Sequence, residues 1–144
     1  MTVATAGDDT ETVNAEDGMA LRAEGICKAF RAGNRHSQAL QNVSLQARQG
    51  LVTGLIGPDG AGKTTLMRLA VGLLQPDSGE ITVLDKDIAK QSLAVQGLIG
   101  YMPQRFGLYE DLTVQENLDL YADLQGVPQE IRRERYGELI HMAG

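Results

Sequence analysis

The chain is short of everything that marks a secreted or membrane-embedded protein. Its one cysteine, Cys27, excludes an intrachain disulfide and suits a reducing compartment; a small buried apolar side chain is its expected role. No basic segment runs into an apolar one, and no stretch of about 18 apolar residues occurs, so the sequence predicts neither secretion nor a membrane span. Basic residues are nowhere clustered into a patch, which excludes a nucleic-acid surface. Repeats and low-complexity runs are missing too. What remains is 144 residues, 42% of them hydrophobic: enough for one domain with a modest core, or for a piece of a larger one.

The net charge of −6 is local. Residues 1–18 hold Asp8, Asp9, Glu11, Glu16 and Asp17 and no Lys or Arg, so this leader carries five of the six negative charges. Poor in large apolar side chains and rich in Thr, Ala and acids, it is expected to be a disordered, solvated tail.

Behind the tail, Leu21–Ile26 reads as a short strand, Arg31–Arg35 as a turn-rich passage, and Val43–Ala47 as an alternating antiparallel strand. Leu51–Ile56 is more uniformly apolar, as a strand buried on both faces would be. After the next loop, Leu66, Leu69, Ala70, Leu73 and Leu74 recur at helical spacing and predict one buried stripe. Gln75–Gly79 turns the chain into a strand at Ile81–Leu84. A short helix over 88–96 and a strand over Leu98–Met102 follow. Thr113-Val114-Gln115-Glu116 has the form of a capping box opening a helix with Val114, Leu118, Tyr121 and Ala122 on one face. Pro128 suits the first turn of a last helix, reaching about Met142. The order predicts an α/β fold entered through an antiparallel lobe.

The chemistry sits in Gly57-Pro58-Asp59-Gly60-Ala61-Gly62-Lys63-Thr64-Thr65, between the apolar strand and the helix. It satisfies G-x-x-x-x-G-K-[ST] in the setting the physics requires. Glycines let successive N–H groups turn inward around phosphate oxygens, and the helix start adds free amides and the positive end of its dipole. Lys63 is expected at the β- and γ-phosphates and the Thr64 hydroxyl on Mg²⁺. Asp59 brings a negative charge into an anion loop and is expected to face solvent. The motif alone says nucleoside triphosphate; GTPases, small-molecule kinases and ATPases share it. A GTPase would also need a guanine-reading N-K-x-D segment, which does not occur.

From about residue 21 onward the chain resembles the ATP-binding subunit of an ABC transporter, on GPDGAGKTTLMRLAVGLLQPDSGEITVLD at 57–85 and IGYMPQRFGLYEDLTVQENLDLYADL at 99–124. The second stretch is similar to bacterial exporters of the ABC-2, multidrug-efflux type. Asp59 stands where that family more often has Asn or Ser. The resemblance implies a P-loop nucleotide-binding domain, here its N-terminal half: core over about 19–106, start of a helical subdomain over about 107–144. It implies ATP and Mg²⁺ as ligands, with Gly57, Pro58, Asp59, Gly60, Ala61, Gly62, Lys63, Thr64 and Thr65 around the phosphates, Thr65 near the α-phosphate. Phe30 matches the aromatic stacked on adenine, and Gln104 the glutamine that contacts Mg²⁺ and the attacking water. It further implies a membrane-spanning permease partner, a second nucleotide-binding domain, and a place at the cytoplasmic face of the membrane. Arg132, Arg133 and Arg135, alternating with Glu130, Glu134 and Glu138, read as a solvated helix face.

Hydrolysis in that family also needs a Walker B Asp with a following Glu, an LSGGQ-like signature and a switch histidine. Ile81–Asp85 imitates Walker B, but Lys86 follows it and it precedes Gln104. His36 and His141 fit no switch position. Because phosphoryl transfer depends on positioning and charge neutralisation, the expectation is a chain that binds Mg-ATP without turning it over alone. The alternative is a catalytically silent nucleotide-binding or interaction module. Without the later parallel strands of the family, Leu51–Ile56 is expected to keep unpaired edges and an exposed apolar face.

Overall fold

The computed structural model describes residues 2–6, 18–104 and 107–143, which fall into two compact units, 1–101 and 102–144. The first unit contains strands β1 (Thr2–Ala6), β2 (Met19–Ala32), β3 (Arg35–Arg48), β4 (Val52–Ile56), β5 (Ser78–Val83) and β6 (Lys86–Asp87). Its helices are α1 (Lys63–Ala70) and α2 (Ile88–Gln96). Four strands form an antiparallel sheet in the order β3-β2-β5-β6, and β4 pairs with β1 in a separate two-stranded sheet.

The two short strands expected at 21–26 and 43–47 are parts of one long hairpin, β2–β3, turning at Gly33–Asn34. Cross-strand pairs from Ile26↔Val43 out to Ala32↔Arg35 carry the ladder through a passage whose side chains are largely polar. Ladder hydrogen bonds need backbone, not apolar alternation, which is why the pattern underestimated the strands. One cluster makes the core: Ala23, Ile26, Leu40, Leu66, Leu69, Ile81, Val83, Ile88 and Val95, with Leu55, Leu74 and Ile99 packed against it.

Helix α1 buries Leu66, Leu69 and Ala70, three of the five residues of the expected stripe. It stops before the other two; Leu73 is exposed. Gly72 takes φ +70°, its N–H bonds to the Leu69 carbonyl (3.0 Å), and the Leu73 N–H reaches back to the Arg68 carbonyl (2.9 Å). That left-handed glycine cap ends the helix. A Cβ on Gly72 would stand 3.1 Å from Ser92 Cβ, and the Gln96 amide donates to the Gly72 carbonyl at 3.1 Å, so the cap is also where α2 is fastened.

Three further expectations change. Leu98–Met102 is not a strand: Gly97 and Leu98 form a turn and residues 99–101 are irregular, with no strand alongside among the described residues to supply a ladder. Strand β4 is not buried on both faces; Val52 is 79% and Ile56 60% exposed, because no described element covers that side. One of its edges is paired: residues 2–6, expected in the disordered tail, run antiparallel to it from Thr2↔Ile56 to Ala6↔Val52, while the other edge has no ladder among the described residues. Thr and Val favour extended backbone, and a waiting ladder suffices. Met1 and residues 7–17 of the expected tail lie outside the described residues, and Gly18 stands in the turn before β2.

The second unit contains α3 (Val114–Leu124) and α4 (Gln129–Ala143). The capping box is present: Thr113 accepts from the Glu116 N–H, and the Glu116 carboxylate accepts from the Thr113 N–H (2.8 Å) and hydroxyl (2.7 Å). These bonds hold the Glu116 carboxyl below its usual range, the Thr113 hydroxyl first and its N–H second. Of the expected apolar face only Ala122 is fully buried; Val114 is exposed, and the buried neighbour is Asn117. Its amide accepts from the Tyr109 N–H and donates to the Tyr109, Leu112 and Thr113 carbonyls at 3.0–3.2 Å. Arg132 is not a solvated side chain. Only 12% exposed, it pairs with Asp123 at 2.7 Å and donates to the Val127 carbonyl, while the Tyr136 hydroxyl donates to the Leu118 carbonyl. Arg133 and Arg135 are exposed as expected.

Candidate phosphate site

Strand β4 delivers the chain into the loop at Gly57 and α1 receives it at Lys63. Between them the Ala61 N–H closes a turn onto the Pro58 carbonyl at 3.2 Å. Gly60 and Gly62 both take positive φ, +78° and +88°. Gly62 has a second reason to be glycine: a Cβ there would collide with the Ala39 carbonyl and come within 2.7 Å of Leu40 Cδ2. The loop is thus pressed against β3.

Gly62 is also the N-cap of α1, and it offers no side chain to the helix amides. The first intrahelical bond runs from the Leu66 N–H to the Gly62 carbonyl (2.9 Å), so the amides of Lys63, Thr64 and Thr65 have no helical acceptor. No acid occupies the first turn. Uncapped amides at the positive end of a helix dipole are an anion site made of backbone. Lys63 folds back over the loop, its ammonium donating to the Gly57 carbonyl at 2.6 Å and the Pro58 carbonyl at 2.8 Å. Thr64 is exposed, Thr65 half-buried and Asp59 exposed.

Phe30 belongs to the same unit. Gly62 abuts Ala39 and Leu40, Leu40 pairs with Lys28, and Phe30 lies two residues further along β2, about 7 Å at strand rise. The ring is 41% exposed, with the Lys28 ammonium 5.9 Å from its centre. An arrangement not foreseen from sequence steadies this end of the hairpin. Asp77, read only as a turn residue, accepts from the Lys28 ammonium and the Ala29 N–H, both at 2.7 Å, and its own N–H donates to the Cys27 carbonyl. The Lys28 ammonium, then the Ala29 amide, hold the Asp77 carboxyl below the usual carboxylate range. No local signal pointed to this partner, since a turn aspartate ordinarily bonds to nearby backbone amides. Cys27 is half-buried; its thiol is lowered by the Ser78 hydroxyl first and the Asn42 N–H second.

Gln104 lies in the second unit and is exposed. The Walker B imitation ends in the tight turn between β5 and β6, where Leu84 and Asp85 take φ +46° and +61°. Among the described residues no group of three or more His, Cys, Asp or Glu is placed to hold a metal ion, and no helix is long and apolar enough to cross a membrane.

A family model described as "ABC transporter" matches residues 40–143. The chain is 52% identical over 116 residues to the "Probable multidrug ABC transporter ATP-binding protein YbhF" of Escherichia coli (strain K12), covering 81% of this chain and 20% of that protein. It is 38% identical over 125 residues to the "Methionine import ATP-binding protein MetN" of Geobacillus kaustophilus, covering 84% of this chain and 36% of that one. Among solved structures it is similar to the dimeric ATP-binding cassette MJ0796 in a post-hydrolysis state bound to ADP and Pi. That match has a TM-score of 0.69 and 26% identity, and covers 85% of this chain and 56% of that chain. The chain therefore spans only part of the length of each of these relatives.

Proposed function

Because this chain belongs to the ABC transporter family, we propose that residues 57–65 bind Mg-ATP for the ATP-binding subunit of a multidrug-type exporter. What carries the proposal is the start of α1: three amides without acceptors behind a left-handed glycine, with a lysine over the same opening. Lys63 exchanges two neutral carbonyls for the β- and γ-phosphate oxygens, to which it makes charge-assisted bonds. The backbone from Gly57 to Gly62 lines the phosphates, Thr65 donates near the α-phosphate, and Phe30 stacks on the adenine. Asp59 stays on the solvent side of the loop.

Mg²⁺ would be held by the Thr64 hydroxyl and would supply charge neutralisation to the phosphates; Gln104 is assigned to metal and water by the family resemblance alone. A magnesium ion keeps most of its shell from phosphates and water, which suits a chain with no dedicated carboxylate cage among its described residues. Coupling to export calls for a membrane-spanning partner and a second nucleotide-binding domain, with this chain at the cytoplasmic face. These 144 residues bind ATP but do not hydrolyse it alone, since a catalytic Glu, a signature and a switch histidine are not among them.

The test is a titration of the full chain with Mg-ATP, alongside Lys63→Ala. The variant is expected to lose about tenfold or more in affinity, and turnover by the parent chain to stay at background. Equal binding by the two would sink the loop assignment. Hydrolysis by the parent that vanishes in Lys63→Ala would overturn the non-hydrolytic part.

A further inference from the structure

The outer end of the β2–β3 hairpin has a support that its own two strands do not supply. Strand β5 pairs with β2 from Leu21↔Val83 only as far as Cys27↔Ser78, so beyond Cys27 that side of β2 has no strand among the described residues. Asp77, the residue before β5, carries the edge further with its own groups. Its N–H donates to the Cys27 carbonyl at 2.9 Å, and one carboxylate oxygen accepts from the Ala29 N–H at 2.7 Å. The turn can lie this close because Gly79, at φ +91°, has no Cβ; one there would collide with the Glu24 and Gly25 carbonyls.

The second carboxylate oxygen takes the Lys28 ammonium at 2.7 Å, and the Lys28 side chain is left only 16% exposed. Lys28 and Phe30, two apart on β2, project from one face of the strand. The ammonium stands over the Phe30 ring, 5.9 Å from its centre and within reach of cation–π attraction. Little else packs there: Ser37, the cross-strand partner of Phe30, is polar and exposed. A cation fixed by a carboxylate therefore favours one orientation of an otherwise exposed ring and leaves the opposite ring face open. A side chain oriented before its ligand arrives removes an ordering cost from binding.

We propose that the Lys28–Asp77 pair is a positioning device for Phe30, holding the ring so that its free face stacks on the base of the nucleotide. This rests on the reading of Phe30 as the adenine platform.

The experiment is a double-mutant cycle on the full chain, with Lys28→Met and Phe30→Ala alone and together. Each protein is titrated with Mg-ATP and, in parallel, with magnesium tripolyphosphate, which has no base. Phe30→Ala should lose about tenfold more affinity for ATP than for tripolyphosphate, the contribution of one stacked base. Lys28→Met should weaken ATP by about threefold with little change for tripolyphosphate, and should add nothing once Phe30 is replaced. Lys28→Arg keeps a cation for both the ring and the carboxylate and should bind ATP as the parent does. Unchanged ATP affinity in Lys28→Met beside the loss in Phe30→Ala overturns the positioning role and leaves the platform standing. Equal losses for the two ligands, or losses that add in the double variant, also overturn it, because Lys28 then acts on the phosphates or on the fold. No base-dependent loss in Phe30→Ala removes the platform itself, and the positioning role with it.

Discussion

The two units are held together by different physics. In the first, nine buried apolar side chains from β2, β3, α1, β5 and α2 meet in one cluster, and polar contacts are peripheral. In the second, the buried positions of α3 are Asn117 and Ala122, and the organisation comes from polar groups: the Asn117 amide closing the Tyr109–Thr113 loop, Arg132 on Asp123 and Val127, Tyr136 on the Leu118 carbonyl. Apolar packing tolerates small displacements and penalises lost volume; a satisfied polar network tolerates neither a lost partner nor a lost angle.

Leu69→Ala should have the largest effect. Leu69 is fully buried at the centre of the cluster, and the cavity should cost about 3 kcal/mol, read as a lower urea midpoint with accelerated exchange in the first unit. Asn117→Ala should act on the second unit alone, leaving the Tyr109 N–H and the Leu112 carbonyl without their partner at a cost of about 2 kcal/mol, while the Tyr109 and Thr113 carbonyls keep backbone donors. An effect that spreads to the β2–β3 hairpin would show that the two units do not unfold independently. Thr113→Ala removes the capping box and should cost about 1 kcal/mol, concentrated in the first turn of α3.

The smallest effect is expected from Asp77→Asn and shows as pH dependence. The Asp77 carboxyl is depressed in the folded state, so its contribution is present above the ordinary carboxylate range and is lost as pH falls through the depressed value. The parent's stability should therefore decline in acid more steeply than that of Asp77→Asn. Parallel acid profiles would show that the Lys28–Asp77 pair does not hold this end of the hairpin.

Features whose cause lies within a few residues were legible in the sequence: the phosphate loop, the start of α1, the capping box at Thr113, the start of α4. Each depends on a side chain bonding to backbone a few positions away, on a glycine conformation, or, at α4, on the fixed φ of Pro128. What was not legible depends on a distant partner. The outer half of the β2–β3 hairpin exists because each strand supplies the other's ladder, and Leu98–Met102 has no such supplier among the described residues. Thr2–Ala6 becomes a strand through Val52–Ile56, although its composition reads as solvated tail. The overrun of α1 is different: Gly72 stood in plain view, and an apolar period continuing past it outweighed the stop. Of the candidate site, the loop and Phe30 lie in one unit, whereas the Lys28–Asp77 bond beside Phe30 spans nearly fifty positions and left no local trace.

Gly62 and Gly72 sit at opposite ends of α1, a helix about 12 Å long at ordinary rise. The first is wedged against the Ala39 carbonyl and the second against Ser92 and Gln96. A side chain added at either glycine would therefore disturb a different neighbour, β3 at the loop end of the helix and α2 at the far end.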